Sequence, residues 1–176
     1  MNENEFWYIE RESTRRNLNR RHEKELSKGY FICLHCHQMV SLHPTLSGVN
    51  NRNHCPYCLW SRHMDQYKAG DRLSACKEGM QPVGLALKAT RNKYNEEGSG
   101  ELMLVHQCIE CGKVSLNRIA ADDISENLLL IYKQGCRVDP ENRGILLQAG
   151  VNVLTDMERD VVTTHLYGIP TVTLPN

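Results

Sequence analysis

Two CxxC pairs separated by eighteen residues constrain the fold of this chain more than any other feature of its sequence. The first pair is Cys33 and Cys36, and the second is Cys55 and Cys58. Pairs at this spacing are typical of a zinc ion held by four thiolates in a tetrahedral arrangement. Because four protein ligands leave no open coordination position, the expected role of such a site is structural.

A redox dithiol is the alternative explanation of the tetrapeptide at residues 55–58. A redox dithiol needs a buried strand before its first cysteine and a helix that begins at that cysteine, because the helix N-terminus lowers the pKa of the thiol. Residues 47–54 are instead polar and turn-forming, with no apolar strand among them. The sequence therefore favours metal binding over redox chemistry.

A third CxxC pair, Cys108 and Cys111, predicts a second zinc site that needs two more ligands. Cys76 is the expected third ligand. For the fourth, the sequence leaves His106 and Cys136 open, and it favours His106 because residues 106 and 108 point to the same face of a strand. Cys136 would then be a free, buried thiol. A cross-braced arrangement, in which Cys55 and Cys58 bind the same ion as Cys108 and Cys111, also remains open.

The composition points to a chain that keeps its thiols reduced. No apolar targeting segment follows the first residues, and the longest apolar run, residues 128–132, is too short to cross a bilayer. We therefore expect a cytoplasmic protein whose eight cysteines serve metal sites, with four disulfides in a secreted protein as the less favoured alternative. The formal net charge is zero, from 21 basic and 21 acidic residues, so any contact with a polyanion has to be local.

Strand signals lie around the cysteines. Short strands are predicted at residues 30–33 and 38–42, beside the first CxxC pair. Longer β-like runs at 81–90 and 101–107 predict a hairpin, with residues 91–100 as its tip, that leads into the third pair. In that pair, Gly112 fits a metal knuckle because glycine readily adopts a positive φ.

Helix signals flank this cysteine-rich region. Most of residues 14–28 have unbranched side chains, which favour a helix. Ser13 is a possible N-cap of this helix, and Gly29 would end it. Capping boxes at Asp123 to Glu126 and at Thr155 to Glu158 predict two later helices, over residues 124–134 and up to Gly168.

Together these signals predict a small α+β protein. It would contain zinc-ribbon-like β-hairpins with two structural zinc sites, flanked by an N-terminal basic helix and C-terminal helices. The expected segments are an N-terminal helical arm at 1–29, a double zinc domain at 30–122 and a helical extension at 123–176.

Basic residues recur every fourth position in the predicted N-terminal helix and so line one of its faces: Arg16, Arg20, Lys24 and Lys28. A phosphate-binding face and an ordinary solvated face are both compatible with this spacing. Ahead of them, residues 6–9 form a compact apolar patch that we expect to dock on the body of the protein or on a partner.

A second basic surface is expected beside the first zinc site. There, Tyr57 and Trp60 would offer aromatic rings on which an unstacked base could lie, although a core role for Trp60 is the simpler alternative. The basic residues of this surface would be Arg52, Arg62, His63 and Arg72.

Several motifs in the sequence resemble those of the RNHCP-domain family. The pentapeptide that gives the family its name stands at residues 52–56, within a longer motif that ends at Asp65. The similarity also covers Phe31 with the first CxxC pair, Gly70 to Arg72, Cys76 with residues 79–84, and residues 106–112 with 117–122. The resemblance implies a compact domain with two zinc ions. It supports His106 over Cys136, since the family's pattern ends before residue 136, and it implies no activity.

On this basis we expect a non-enzymatic, cytoplasmic zinc-ribbon protein that binds RNA or a ribonucleoprotein, by analogy with zinc ribbons that assist translation or transcription. The alternative is a zinc-stabilised adaptor for protein–protein interaction, which the neutral net charge would suit. An enzyme is less favoured, because the chain lacks the H-x-E motif of zinc deaminases and any ligand set with an open position.

Overall fold

The computed structural model describes the backbone of residues 3–89 and 100–168, and the side chains of these residues from Thr14 onward. No helix in the described ranges has the length and apolar character needed to cross a membrane. The elements are, in chain order, α1 (Glu3–Leu26), β1 (Tyr30–Ile32), β2 (Met39–Ser41), α2 (Pro44–Ser47), β3 (Ser61–Arg62), β4 (Gly79–Ala89), β5 (Gly100–Cys108), β6 (Val114–Arg118), α3 (Ser125–Cys136), α4 (Pro140–Gln148), a 3₁₀ turn (Asp156–Glu158) and α5 (Arg159–Tyr167).

Helix α1 is longer than the sequence predicts. It begins at Glu3 and runs through Ser13, so the prediction that Ser13 caps the helix is wrong. The helix ends at Leu26, and Gly29 follows with a φ of 81°, a conformation that favours glycine. The side chains of the apolar patch at residues 6–9 lie outside the described residues.

The first hairpin is small and depends on sulfur for part of its core. Strands β1 and β2 are antiparallel, with Phe31 opposite Val40. These two side chains are buried together with Cys33 and Cys55, and Leu26 of α1 packs against them. So few apolar side chains bury little surface, and we infer that a bound metal supplies much of the stability of this region.

The main sheet has four antiparallel strands in the order β3-β4-β5-β6. The predicted hairpin is present as β4 and β5, with Leu85 opposite Leu104, while residues 90–99 at its tip lie outside the described residues. The register shifts between Pro82 and Gly84. Strands β3 and β6 were not predicted, because β3 has only two residues and the apolar–polar alternation of β6 extends over only five.

The sheet carries apolar clusters on both faces, because neighbouring residues of a strand point in opposite directions. One cluster joins Leu85 and Leu104 to Leu128 and Tyr132 of α3 and to Val162 of α5. The other contains Ala86, Val105, Leu146, Val151 and Val153. The helices after residue 123 therefore share their core with the sheet. The division of the chain at residues 29 and 122 stays a prediction.

Two capping boxes were predicted, and one of them forms. The box at Thr155 is confirmed, since the Glu158 carboxylate accepts a hydrogen bond from the Thr155 backbone N–H at 2.7 Å. The box at Asp123 is wrong, because α3 has Ile124 as its N-cap and no side-chain cap bond. The carboxylate of Asp123 is instead bonded to residues far from it in the sequence.

Candidate metal centres and the buried arginine network

All three CxxC pairs adopt the same backbone knuckle. In each, the residue after the second cysteine donates its backbone N–H to the carbonyl of the first cysteine, at 3.0, 2.8 and 3.0 Å in chain order. That residue has a positive φ in every pair: 60° at His37, 61° at Leu59 and 72° at Gly112. Glycine adopts this conformation readily, whereas His37 and Leu59 carry a strain on the order of 1–3 kcal/mol each. Sequence reasoning identified only the glycine knuckle.

The first cluster consists of Cys33, Cys36, Cys55 and Cys58, whose four sulfur atoms lie within 4.8 Å of one another. The Sγ atoms of Cys33 and Cys58 are 3.5 Å apart, and those of Cys36 and Cys55 are 3.6 Å apart. Four sulfurs around a tetrahedral zinc ion, each at about 2.3 Å from the metal, lie about 3.8 Å from one another. The cluster therefore fits a zinc ion, and the first two CxxC pairs form it together.

The thiols of this cluster share protons with one another. Hydrogen bonds from Cys55 and Cys58 lower the pKa of Cys33, while donation to Cys33 raises the pKa of Cys55 to about 12. One thiolate is therefore stabilised at the expense of its neighbours. A divalent cation would supply the positive charge that allows all four thiols to deprotonate.

The second cluster consists of His63, Cys76, Cys108 and Cys111, again with ligand atoms within 4.8 Å of one another. The Sγ atoms of Cys76 and Cys108 are 3.6 Å apart, and Nδ1 of His63 lies 3.4 Å from Sγ of Cys111. Burial lowers the pKa of His63, which favours the neutral imidazole that binds metals. This set of three thiols and one imidazole could hold a second zinc ion.

The structure corrects the prediction of His106 as the fourth member of this cluster. His106 is fully buried, and both of its ring nitrogens are engaged: Nε2 lies 2.7 Å from the Leu59 carbonyl, and Nδ1 lies 2.9 Å from Nδ2 of Asn117. The other candidate, Cys136, packs against the apolar cluster around Tyr132.

His63 reaches the second cluster through pairing between distant parts of the chain. Strand β3 pairs with β4, which places Arg62 opposite Gly79, and the backbone N–H of His63 donates to the Glu78 carbonyl at 2.8 Å. This pairing brings residue 63 beside the segment that carries Cys76. Because β3 has only two residues, no periodicity in the sequence indicates it.

Arg52 is buried at the centre of a hydrogen-bond network. Its guanidinium donates to the His54 carbonyl at 3.1 Å, to Asp122 at 2.7 Å and to Asp123 at 3.2 Å. The Asp123 carboxylate also pairs with Nε2 of His54 at 2.9 Å and accepts from the Ala120 backbone N–H at 2.8 Å. The prediction that Arg52 belongs to an exposed basic surface is therefore wrong.

Arg62 is also buried, so the expected basic surface beside the first cluster does not form. Its guanidinium donates to the Lys77 carbonyl at 2.8 Å and to the Asn19 side chain of α1. Arg72 is half-buried and lies 3.5 Å from the Arg52 carbonyl, and one face of Trp60 is covered by the ring of His35, which stacks on it at 4.3 Å.

The basic residues of the N-terminal helix have a different environment. Each of the four predicted residues has an exposed side chain in the structure: Arg16, Arg20, Lys24 and Lys28. The opposite side of α1 faces the body of the protein, where His22 and Glu25 are buried. Burial lowers the pKa of His22 to about 4, with a further contribution from the nearby charge of Arg62.

The fold and the two clusters define a small α+β protein with antiparallel sheets, N-terminal and C-terminal helices, and two sites whose thiol and imidazole ligands are suited to zinc. A comparison with protein families agrees: the model of the RNHCP domain matches residues 28–129, more than half of the chain. The chain belongs to the RNHCP-domain family. No curated protein and no solved structure matches it.

Proposed function

We propose that this protein is a cytoplasmic, zinc-stabilised RNA-binding module, in which α1 presents a basic ridge to the phosphate backbone. The basic ridge consists of Arg16, Arg20 and Lys24 of α1 and of Lys28, which lies in the turn after the helix ends. The single observation that carries the proposal is that the first three of these side chains are exposed along α1, with Lys28 exposed just after it, while the opposite face of the helix is held by the body of the protein.

Hydrogen bonds of three residues help to hold the inner face of α1. Arg15 donates to the carbonyl of Cys76, Asn19 accepts from Arg62, and the Glu25 carboxylate accepts from the Ile32 backbone N–H at 3.0 Å. Cys76 belongs to the second cluster, and Ile32 directly precedes Cys33 of the first. The helix is therefore anchored to the segments that carry both clusters, so bound metal would fix the orientation of the ridge.

The dimensions of the ridge suit a short stretch of nucleic-acid backbone. From Arg16 to Lys24 the helix rises by about 12 Å, at about 1.5 Å per residue. Successive basic side chains are one helical turn apart, so this part of the ridge is long enough to contact a few neighbouring phosphates of one strand. Because the whole chain has no net charge, this local cluster supports contact with a limited stretch of RNA and not a general coating of it.

Charge reversal of the ridge tests the proposal. We expect the triple variant Arg16→Glu, Arg20→Glu, Lys24→Glu to bind RNA at least about tenfold more weakly at low salt. The slope of log affinity against log salt should flatten by about 0.7–0.9 for each phosphate that no longer meets a basic side chain. The measurement is a salt titration of binding to a labelled RNA, with the metal content of each sample determined in parallel.

The matched control carries the same change in charge elsewhere. Lys68, Lys133 and Arg137 are exposed basic residues outside α1, and their replacement by Glu should change the salt slope by less than about 0.9, the value of a single neutralised phosphate. Equally weakened binding in both triple variants, or unchanged binding in the α1 variant, would contradict the proposal. A co-purifying partner that survives nuclease treatment would favour the adaptor hypothesis instead.

A further inference from the structure

The two metal clusters differ in how well the protein shields their sulfur atoms. All four cysteines of the first cluster belong to the apolar core of the β1–β2 hairpin or pack against it. Cys33 and Cys55 are buried there, and Cys36 and Cys58 are half-buried. None of the three cysteines of the second cluster belongs to any of the apolar clusters that the described residues form. A purely structural role of the two clusters does not account for this difference.

Cys111 lies on the open side of the second cluster. Of the eight cysteines, all of which the structure describes, only Cys111 is exposed. Residues 109–112 around it are exposed as well. Apart from chain neighbours, no atom of the described residues lies within 4 Å of a Cβ atom added at Gly112. Cys108, at the other end of the same knuckle, is only 3% exposed. A small reagent in solvent therefore approaches the second cluster from the side of Cys111.

The reagents that react with an accessible thiolate of this kind include hydroperoxides. Metal binding keeps Cys111 deprotonated, which is the state that attacks a peroxide oxygen. Its attack on hydrogen peroxide breaks the O–O bond and gives a sulfenic acid at Cys111 and a hydroxide ion. The Cys108 thiolate then attacks this sulfur, forms the S–S bond and expels the sulfenic oxygen as a second hydroxide. The two thiolates lose two electrons in total, and the peroxide gains them.

Cys108 is better placed than Cys76 to close this disulfide. All ligand atoms of the cluster lie within 4.8 Å of one another, so distance alone does not choose between the two. Cys108 shares a knuckle with Cys111, in which the Gly112 N–H donates to the Cys108 carbonyl at 3.0 Å. Cys76 lies on a separate segment before β4. When the first oxidation weakens the hold on the metal, Cys108 stays beside Cys111, whereas Cys76 can move away.

The second cluster also fixes the middle of α1. Arg15 donates to the Cys76 carbonyl and forms an ion pair with Glu78 at 3.4 Å. Loss of the metal removes the link between Cys76 and the knuckle after β5, so the segment that holds Arg15 loses one of its attachments. Glu25, nearer the end of the helix, keeps its bond to the Ile32 N–H beside the first cluster. Oxidation of the second cluster therefore loosens α1 around Arg15 and not at its end.

We infer that Cys111 is an oxidation site through which hydroperoxides break up the second cluster and release the middle of α1. The first cluster stays intact, because its sulfurs are shielded by the core of the hairpin. The inference deepens the proposed function, and its regulatory part rests on it: once α1 is loosened, Arg16 and Arg20 no longer stand in a fixed line with Lys24, so RNA binding weakens.

Zinc release tests the oxidation site without RNA. The zinc-loaded full chain is treated with hydrogen peroxide, release is followed with a chromogenic zinc indicator, and disulfides are located by mass spectrometry. We expect one ion to leave at least about tenfold faster than the other, together with a disulfide between Cys108 and Cys111. Dithiothreitol and zinc should restore two ions per chain. Release of both ions at one rate, or a first disulfide within the other cluster, would overturn the inference.

A substitution that keeps the number of metal ligands gives a second readout. Cys111→His offers an imidazole in place of the exposed thiol, and we expect its second ion to be released at least about tenfold more slowly than in the wild type. Cys136→Ser is the matched control, because Cys136 is a half-buried thiol outside both clusters, and it should leave the release rate unchanged. Release from Cys111→His at the wild-type rate would contradict the site.

Alkylation of the wild type decides the matter if Cys111→His does not hold its second ion. Among the metal ligands of the zinc-loaded protein, iodoacetamide should modify Cys111 first, because it is the exposed one. First modification of any other ligand cysteine would overturn the inference.

Hydrogen exchange and RNA binding separate this inference from the proposed function. After oxidation, amide protection should fall around Arg15 and remain in β1 and β2, and unchanged protection at Arg15 would contradict the release of α1. If oxidation behaves as expected while charge reversal of the ridge leaves RNA affinity unchanged, the oxidation site stands and the proposed function is wrong. If charge reversal weakens RNA binding while the oxidised protein binds RNA as tightly as the reduced one, the ridge stands and its regulation through Cys111 is wrong.

Discussion

Nη2 of Arg52 lies 3.2 Å from Oδ1 of Asp123, and the same carboxylate pairs with Nε2 of His54 at 2.9 Å. The side chains of Arg52 and Asp123 are completely buried. Through these bonds, the residues before Cys55 are fixed to the start of α3. Two further contacts join α3 to this knuckle, since Ile124 donates to the Pro56 carbonyl and Asn127 to the Tyr57 carbonyl. The arginine and histidine of the family's pentapeptide therefore connect the first metal cluster to the C-terminal helices.

Removing the carboxylate of Asp123 should destabilise the protein strongly. We expect Asp123→Ala to lower the free energy of unfolding by about 3–5 kcal/mol, because it leaves Arg52 as a buried charge with one acid partner fewer. The measurement is equilibrium unfolding in urea with metal present. Asp122→Ala is the control, since the Asp122 side chain is 36% exposed, and it should cost about 1 kcal/mol or less. Equal destabilisation in the two variants would show that burial of the Arg52–Asp123 pair does not determine the loss in free energy of unfolding.

The close approach of α3 to β4 depends on two glycines. A Cβ atom added at Gly84 would lie 2.5 Å from Cγ1 of Val153, and one added at Gly135 would lie 2.9 Å from Cα of Gly84. We therefore expect Gly84→Ala to lower the free energy of unfolding by about 1–3 kcal/mol through overpacking. Gly144→Ala is the control: nothing lies within 4 Å of its added Cβ in α4, so this change should stabilise the protein by about 0.5–1 kcal/mol. Thermal unfolding distinguishes the two signs.

The strained knuckle at His37 predicts a stabilising substitution. His37 is exposed and has a φ of 60°, so His37→Gly should relieve strain and raise the free energy of unfolding by up to about 1 kcal/mol. Gln38→Gly, at the next exposed position, should lower it by about 0.5–1 kcal/mol, because Gln38 does not have a positive φ. Stabilisation by both changes would contradict this account of the knuckle.

Metal removal should unfold the protein in parts. The hairpin of β1 and β2 has a small core that includes the sulfurs of Cys33 and Cys55, whereas β4, β5 and the C-terminal helices share two larger apolar clusters. We expect a chelator to abolish hydrogen-exchange protection in β1 and β2 while much of the protection in β4 and β5 remains. Loss of protection in all strands at the same chelator concentration would contradict this division.

Local patterns in the sequence predicted local structure well. The two hairpins follow from short apolar runs around the cysteines, and the confirmed capping box at Thr155 depends only on residues three positions apart. The first metal cluster was also predicted, because its four cysteines lie within one ribbon. In each case the interacting residues are close in the chain or related by simple strand pairing.

Distant pairings could not be predicted in the same way. Arg52 contacts Asp122, seventy residues later in the chain, and nothing in the local sequence separates a buried arginine of this kind from an exposed one. The prediction of His106 as the fourth ligand, with Cys136 as its alternative, failed for a related reason, since the structure places His63 there. His106 shares a strand with Cys108, but His63 reaches the second cluster through the pairing of β3 with β4. The pattern within one strand says nothing about a ligand that comes from a neighbouring strand.

Zinc content per chain is the most direct test of the central claim, that two separate clusters each hold one ion and His63 completes the second. Elemental analysis of the purified, folded protein should give two zinc ions per chain, with one in His63→Ala and two in His106→Gln. Loss of an ion from His106→Gln together with two ions in His63→Ala would contradict the assignment of the ligands. A folded protein free of metal would contradict the account as a whole.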